Sequence, residues 1–563
     1  METLAKIFPF LESLEGYTSR YFKDDLSAGL TVAIMLVPQG MAYAYLAGMP
    51  PIYGLYGGLI PLFLYALFGT SRQLSIGPVA VSALLVLEGF RQIAEPGSSE
   101  YIQLVILGGL MIGVIQLLLS MLRLGFLVNF LSHPVLAGFT SAAAIIIAIS
   151  QLKDFLGIPI PRFSYSYETA WYAINHLGEA NWISVVICSV SITVMLALRS
   201  MSRSIPGALI VVVAATLLSW GLDLQQYGLE IIRDVPAGLP AFELPLLDLE
   251  VAEGIMPIVL TIAIIGIVES ISIAKVLESK HEDYDIRPNQ ELFAIGISKI
   301  GGAFFQAIPT SGSFTRSAIN DDAGGRTTIS SMVTALLIVL TLLFLTPLFY
   351  YLPKAVLAAI ILLAVRSLFD FKEAIFLWKT DKRDLTMMLI TFQATLTFGI
   401  EEGVFTGVLL SIGTVLLKSS KPHYGILGKV QGTKNYRNID RFPDAEQMPD
   451  ELLIRFDDQL YFANAAYFKD VINERTEPED GIKAVFMDAR SMHHIDSSGL
   501  HALTDIHNRL KRLGIEFYMT SAIGPVRDLL HKAGFYEKVG EAYFFQDLHQ
   551  AVLAYRKRKS EKK

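Results

Sequence analysis

The chain is poor in cysteine and in charge. It has one cysteine, Cys188, and only 18% of its 563 residues are Asp, Glu, Lys or Arg. A lone cysteine excludes an intramolecular disulfide. The net charge of -7 contains no basic excess, so no nucleic-acid partner is expected. No A-x-A cleavage site follows the first apolar run, so no cleavable signal peptide is expected. The charged C-terminal part lacks a nucleophile–base pair, a metal cluster and a phosphate loop. His493 and His494 are adjacent but have no cysteine or third ligand nearby. An enzyme, a metal site and a cofactor are therefore not expected.

What is abundant is apolar sequence: 52% of the chain is hydrophobic. Apolar runs recur from residue 26 to 418, each near the ~20 residues that span a bilayer. They fall at 26–47, 52–69, 78–94, 101–122, 126–151, 182–199 and 205–221. They resume at 251–278, 291–306, 313–320, 327–350, 354–366, 384–399 and 402–418. About fourteen segments in two sets of seven predict an α-helical polytopic membrane protein. An odd number per repeat inverts the second repeat relative to the first. The excess of Lys and Arg in alternate loops, among them Arg72, Arg123, Arg203, Lys280 and Arg326, places both termini in the cytoplasm. Lys153 and Arg162 run against that rule. The acidic loop 223–250, which includes Asp234, falls outside. The expected layout is a cytoplasmic amphipathic N-terminus over 1–25, repeat 1 over 26–222, an extracellular loop over 223–250, and repeat 2 over 251–418. A linker over 419–444 and a small α/β domain over 445–563 complete it.

Two short stretches, 73–82 and 307–317, read as copies of one device. Each has a β-prone lead-in, a Gly or Pro break, and small residues that can start a helix. Irregular backbone inside a bilayer is tolerated only where protein buries it or where it lines a cavity. Broken elements at matching positions of two halves point to a transporter's binding site. Helix N-termini offer unpaired N–H groups and about half a positive charge each. An anion is therefore expected between the two stretches, with Arg316 beside it. Ser313, Phe314 and Thr315 are expected to present N–H groups and a hydroxyl. Val79 and Ala80 face them with N–H groups that Pro78 cannot supply.

Several motifs carry a family resemblance. They are Pro38-Gln39-Gly40-Met41-Ala42-Tyr43-Ala44, Gly69-Thr70-Ser71-Arg72 to Gly77-Pro78, and Glu269-Ser270-Ile271-Ser272. Ser311-Gly312-Ser313-Phe314-Thr315-Arg316 and Ile495-Asp496-Ser497-Ser498-Gly499-Leu500 complete the set. In this order they resemble the SulP, or solute-carrier-26, anion transporters, which end in a STAS domain. The resemblance covers essentially the whole chain. It implies a seven-plus-seven inverted repeat with core and gate subdomains, a cytosolic STAS domain, a homodimer, and elevator-like alternating access in the plasma membrane. It also implies that Gln39 and Tyr43, one turn apart on the first helix, line the anion pocket; their other reading is a helix-packing Gln and an interfacial Tyr.

Arg316 could instead snorkel to the interface or pair with Asp321 or Asp322. Glu269 lies deep in an apolar run, where an ionisable residue is a functional candidate. It is read as the proton-coupling residue, against the alternative of a permanent ion pair with Arg316 or Lys275. In some family members an acidic residue here helps to bind Na⁺. The apolar Ile273 one turn later tilts this chain towards H⁺, while Ser270 and Ser272 keep Na⁺ open. Glu88 is assigned no role. Ser497 matches a position phosphorylated in bacterial relatives of the STAS domain; a helix N-cap is the competing reading. The favoured function is proton-coupled symport of an inorganic oxyanion, sulfate first. Na⁺-coupled bicarbonate transport, proton-coupled C4-dicarboxylate transport, a passive channel or exchanger on the same fold, and a sensor with vestigial transport are the alternatives.

Overall fold

The computed structural model describes the chain except residues 1–7, 15, 126–131, 162, 164, 202–205, 234, 246–247, 282 and 562–563. Arg162, Arg203, Asp234 and the start of the fifth expected segment lie outside the described residues. The chain divides into two compact units, Met1–Ser411 and Ile412–Lys563.

Among the described residues the main apolar helices group as seven and seven, the last running on past Ser411; Phe10–Ser13, Leu152–Leu156, Ser166–Asn175 and Phe371–Thr380 are short additional helices. The first set is α1 (Ser19–Leu46), the interrupted pair α2 (Ile52–Gly57) and α3 (Ile60–Phe68), α4 (Ala80–Phe90), α5 (Ser99–Met121), α6 (His133–Ser150), α7 (Trp182–Met201) and α8 (Gly207–Gly221). The second is α9 (Leu249–Glu278), α10 (Pro288–Phe304), α11 (Phe314–Asp322), α12 (Ile329–Leu340), α13 (Lys354–Val365), α14 (Lys382–Phe398) and α15 (Ile400–Ser420). Among the described residues, seven helical spans are long and apolar enough to cross a membrane. Their outward faces are apolar in steps of four, as Trp182, Val186 and Val190 on α7 show: all three are exposed. In water such a stripe would be a liability, whereas hydrocarbon solvates it.

Helix ends follow local chemistry. The Thr18 hydroxyl accepts from the Tyr21 N–H, so α1 starts at Ser19, inside the stretch expected as a separate N-terminal helix. Asp248 caps α9 by accepting from the N–H groups of Glu250 and Val251. Two groups of helices result. α1, α3, α5, α9, α10, α11 and α12 pack together, as do α6 with α14 and α7 with α8 and α13, and α8 and α13 also rest against α1. These correspond to core and gate.

The two broken stretches form strands β1 (Ile76–Gly77) and β2 (Ser311–Gly312), which pair antiparallel with Ile76 opposite Gly312. Each leads directly into a half-length helix, α4 or α11. The third element of one set thus meets the third of the other, running in the opposite direction.

The second unit is an α/β sandwich. Its strands are β3 (Tyr424–Val430), β4 (Tyr436–Asn438), β5 (Ala445–Glu446), β6 (Glu451–Phe456), β7 (Ala484–Asp488), β8 (Glu516–Thr520) and β9 (Phe544–Phe545), in the order β4-β3-β6-β7-β8-β9, with β5 paired to β3. β6, β7, β8 and β9 run parallel, and β3 is antiparallel to β6. Alternate side chains separate two faces. Leu452, Ile454, Val485, Met487, Phe517 and Met519 pack towards α16 (Ala465–Glu474), α17 (Ser497–Arg512) and α18 (Gly524–Lys532). Leu453, Phe486 and Tyr518 pack against α19 (Leu548–Glu561). Residues 424–438, expected as linker, are thus β3 and β4. Gly425 and Gly428 weaken the strand pattern, and pairing with β6 supplies the order that the local sequence lacks.

Candidate functional site

Arg316 lies on the first turn of α11 and is fully buried. Its Nη1 donates to the carbonyl of Pro78 at 2.9 Å, across the two repeats. Its Nε and Nη2 have no acceptor among the described residues. Neither alternative for Arg316 holds: it is buried and does not snorkel, Asp321 is engaged by Lys280 and His281, and Asp322 is exposed. Pro78, expected in the site only as a residue without a donor, anchors the guanidinium through its carbonyl. Gly77 makes the approach possible, since a Cβ there would sit 3.0 Å from Nη2.

Val79 is extended and Ala80 opens α4, so the leading N–H groups of that helix have no partner within it. Both residues are buried. On α11 the expectation needs a correction. The Ser313 N–H is not offered to a ligand: it donates to the Ser75 carbonyl at 3.0 Å and extends the strand pair. The Ser313 hydroxyl caps the helix by accepting from the Arg316 N–H. Phe314 and Thr315 then supply the leading N–H groups, and both side chains are exposed, Phe314 by 60%.

Gln39 and Tyr43 are buried on α1, where Gln39 Oε1 has no donor among the described residues. Tyr43 lies close enough to Arg316 and Glu269 to interact with both electrostatically. Glu269, on α9, is partly buried, and its Oε2 has no partner among the described residues. The pair with Lys275 does not form, because Lys275 binds Glu278 at 2.7 Å. The structure therefore brings Tyr43, Glu269 and Arg316 together beside the β1–β2 pair. Glu88 lies apart, paired with Arg91 at 2.7 Å.

Two residues escaped the sequence reading. Lys299 is buried in the middle of α10, donating from Nζ to Gln116 Oε1 at 3.0 Å, and it interacts electrostatically with Glu269. A lysine inside an apolar run, between Ile297 and Ile300, carries the same signal that singled out Glu269. Glu291, fully buried, accepts from Tyr65 Oη at 2.7 Å, the Thr70 N–H at 2.6 Å, Thr70 Oγ1 at 2.5 Å and the Ser71 N–H at 3.2 Å. It thereby fixes the turn that leads into β1.

In the second unit Asp496, not Ser497, caps α17: its Oδ1 accepts from the Gly499 N–H at 2.8 Å and its Oδ2 from the Phe462 N–H at 2.9 Å. Ser497 is the first residue of the helix and its side chain is exposed. Among the described residues no group of acidic, histidine and cysteine side chains could hold a metal.

Inverted repeats whose broken helices meet head to head at a buried arginine define a polytopic membrane carrier for anions. The comparisons agree. The sulfate permease family profile matches residues 22–391, and the STAS domain profile matches 442–551. The chain is 39% identical to sulfate transporter 4.1, chloroplastic, of Arabidopsis thaliana, over 97% of this chain and 82% of that protein. It is 33% identical to high affinity sulfate transporter 2 of Stylosanthes hamata, covering 98% and 87%. Its fold matches the murine Slc26a9 anion transporter in the inward-facing state with a TM-score of 0.91 and 27% identity, covering 97% and 93%. The chain belongs to the sulfate permease family. It is a multi-pass membrane transporter of inorganic anions with a C-terminal STAS domain.

Proposed function

We propose that this protein is a proton-coupled sulfate symporter working by elevator-like alternating access. The observation that carries the reading is Arg316: fully buried, anchored by one nitrogen, with Nε and Nη2 left without an acceptor among the described residues. A guanidinium with two donors to spare suits a tetrahedral oxyanion. Val79, Ala80, Phe314 and Thr315 head the two half-helices beside it, while Pro78 and Ser313 hold the frame. Gln39 and Tyr43 close the pocket from α1. The relatives named as sulfate transporters favour sulfate among the inorganic anions.

Arg316 and two helix ends supply roughly +2 of charge. Ionised Glu269 cancels about half of it, and a proton on Glu269 restores it. Proton and dianion then bind together and move together. Lipid surrounds the first unit; the protein works as a homodimer in the plasma membrane, with both termini in the cytoplasm. Ser497, exposed at the start of α17, is the position open to regulatory modification. Glu269→Gln tests the coupling: it is expected to abolish accumulation driven by a pH gradient while leaving sulfate exchange partly intact. Unchanged accumulation in that variant would remove Glu269 from the mechanism.

A further inference from the structure

The buried cation on α10 has no place in the charge count above. Lys299 is 4% exposed, and among the described residues its one hydrogen-bonding side chain is neutral: Gln116 on α5, itself held by the carbonyl of Ala263 on α9 at 3.1 Å. A desolvated ammonium costs several kcal/mol unless an opposite charge offsets it. The carboxylate that interacts with it electrostatically is Glu269, one turn along α9 from Gly266. A Cβ on Gly266 would sit 3.4 Å from Ser311 Oγ, 3.7 Å from Gln116 Nε2 and 3.9 Å from Lys299 Nζ. The absent side chain lets these three groups converge one turn below Glu269.

Ser311, on β2, joins this cluster to the anion pocket. Its hydroxyl carries one proton and reaches three acceptors: the Gly266 carbonyl at 3.3 Å, Ser270 Oγ at 3.3 Å, and the Glu269 carboxylate. Ser270 in turn accepts from the Gly312 N–H at 2.9 Å. Polar groups therefore line the way from the Lys299–Gln116 pair, past Glu269, to β2, the strand that leads into the helix of Arg316.

We infer that Lys299 is a positioning residue for coupling: its buried amine favours the ionised form of Glu269 until the outside proton concentration is high enough to load it. The inference rests on the role proposed for Glu269. The charged and titratable groups around the pair come from three elements: Glu269 from α9, Arg316 from α11 and Tyr43 from α1. α5 contributes only the neutral Gln116. Glu291, on α10 itself, and Tyr65, on α3, are engaged with each other. A positive neighbour favours the ionised carboxylate, and its removal favours the protonated one. Without Lys299 the carboxylate loads at lower proton concentration.

The test is sulfate uptake into proteoliposomes across a range of external pH, in wild type, Lys299→Met, Lys299→Arg and Glu269→Gln. Lys299→Met is expected to displace the acidic activation of uptake towards higher pH by about one unit or more, a tenfold change in the proton concentration needed. Lys299→Arg keeps the wild-type profile, and Glu269→Gln flattens it. A Lys299→Met profile that coincides with wild type, while Glu269→Gln is flat, overturns the role of Lys299 and leaves Glu269 standing. A wild-type profile that is already flat overturns both. Lys299→Gln, which retains a polar head, carries the same comparison where Lys299→Met is not recovered from the membrane.

Discussion

Arg316 and Pro78 are 238 positions apart and are joined by one hydrogen bond of 2.9 Å from the guanidinium to the proline carbonyl. The bond crosses from the second repeat to the first, beside the break that precedes each half-length helix. Pro78 sits in the break between β1 and α4, so its carbonyl lies outside the helical hydrogen-bond ladder. One nitrogen is spent on position, and Nε and Nη2 have no acceptor among the described residues.

Arg316→Ala is expected to weaken sulfate binding by a hundredfold or more, since charge-assisted hydrogen bonds contribute about 1.5–3 kcal/mol each. Arg316→Lys keeps a charge but cannot both hold Pro78 and offer two parallel donors, so it should recover only a minor part of the loss. Equilibrium binding of labelled sulfate to purified protein checks this. Wild-type affinity in Arg316→Lys would contradict the bidentate geometry.

Gly77→Ala places a methyl group 3.0 Å from Nη2 of Arg316 and 3.4 Å from Leu36 Cδ1. The guanidinium must shift, and affinity should fall several-fold while the protein remains folded and membrane-inserted. The same binding measurement, with size-exclusion behaviour as the control for folding, decides it.

Glu291→Gln removes a carboxylate that accepts from Tyr65, Thr70 and Ser71. An amide presents one oxygen and puts a donor where donors already point. Leaving buried donors unsatisfied costs about 1–3 kcal/mol each. The variant should unfold at lower temperature in detergent and be recovered in lower yield. Thermal stability equal to wild type would show that the turn before β1 is held by other contacts.

In the STAS domain, burial holds His507 below the usual histidine value, and Lys511 and Lys538 add to the effect. Its ring packs beside Phe517 and Phe535. The folded state thus binds fewer protons than the unfolded one. The stabilisation is present above the unfolded value of about 6.5 and is lost as pH falls through and below it. His507→Leu should flatten the acid loss of hydrogen-exchange protection in β7 and β8 once intrinsic rates are matched. An unchanged acid dependence would assign that loss to other groups.

Much of this architecture was legible in the sequence because hydrocarbon imposes a simple rule. Apolar runs of bilayer length mark helices, and breaks in them mark the site. The matching breaks at 73–82 and 307–317 pointed to Arg316 and to the two stretches that the structure pairs as β1 and β2, while Glu269 stood out by its place deep in an apolar run. Lys299 carried the same signal one helix away and was passed over. Its significance depends on Gly266 and Gln116, which only the packing brings beside it. The double use of Ser313, as strand partner and helix cap, was equally out of reach, since a free N–H and a paired one look alike in sequence. β3 and β4 were read as linker because Gly425 and Gly428 dilute the β3 pattern, and pairing with each other and with β6 supplies their order.

The central claim is that protons drive the anion. Labelled sulfate uptake into proteoliposomes, without Na⁺, with and without an inward proton gradient, tests it most directly. The account predicts accumulation above equilibrium only with the gradient, and its collapse when the gradient is dissipated. Equal uptake in both conditions, or accumulation that appears only when Na⁺ is restored, would contradict it.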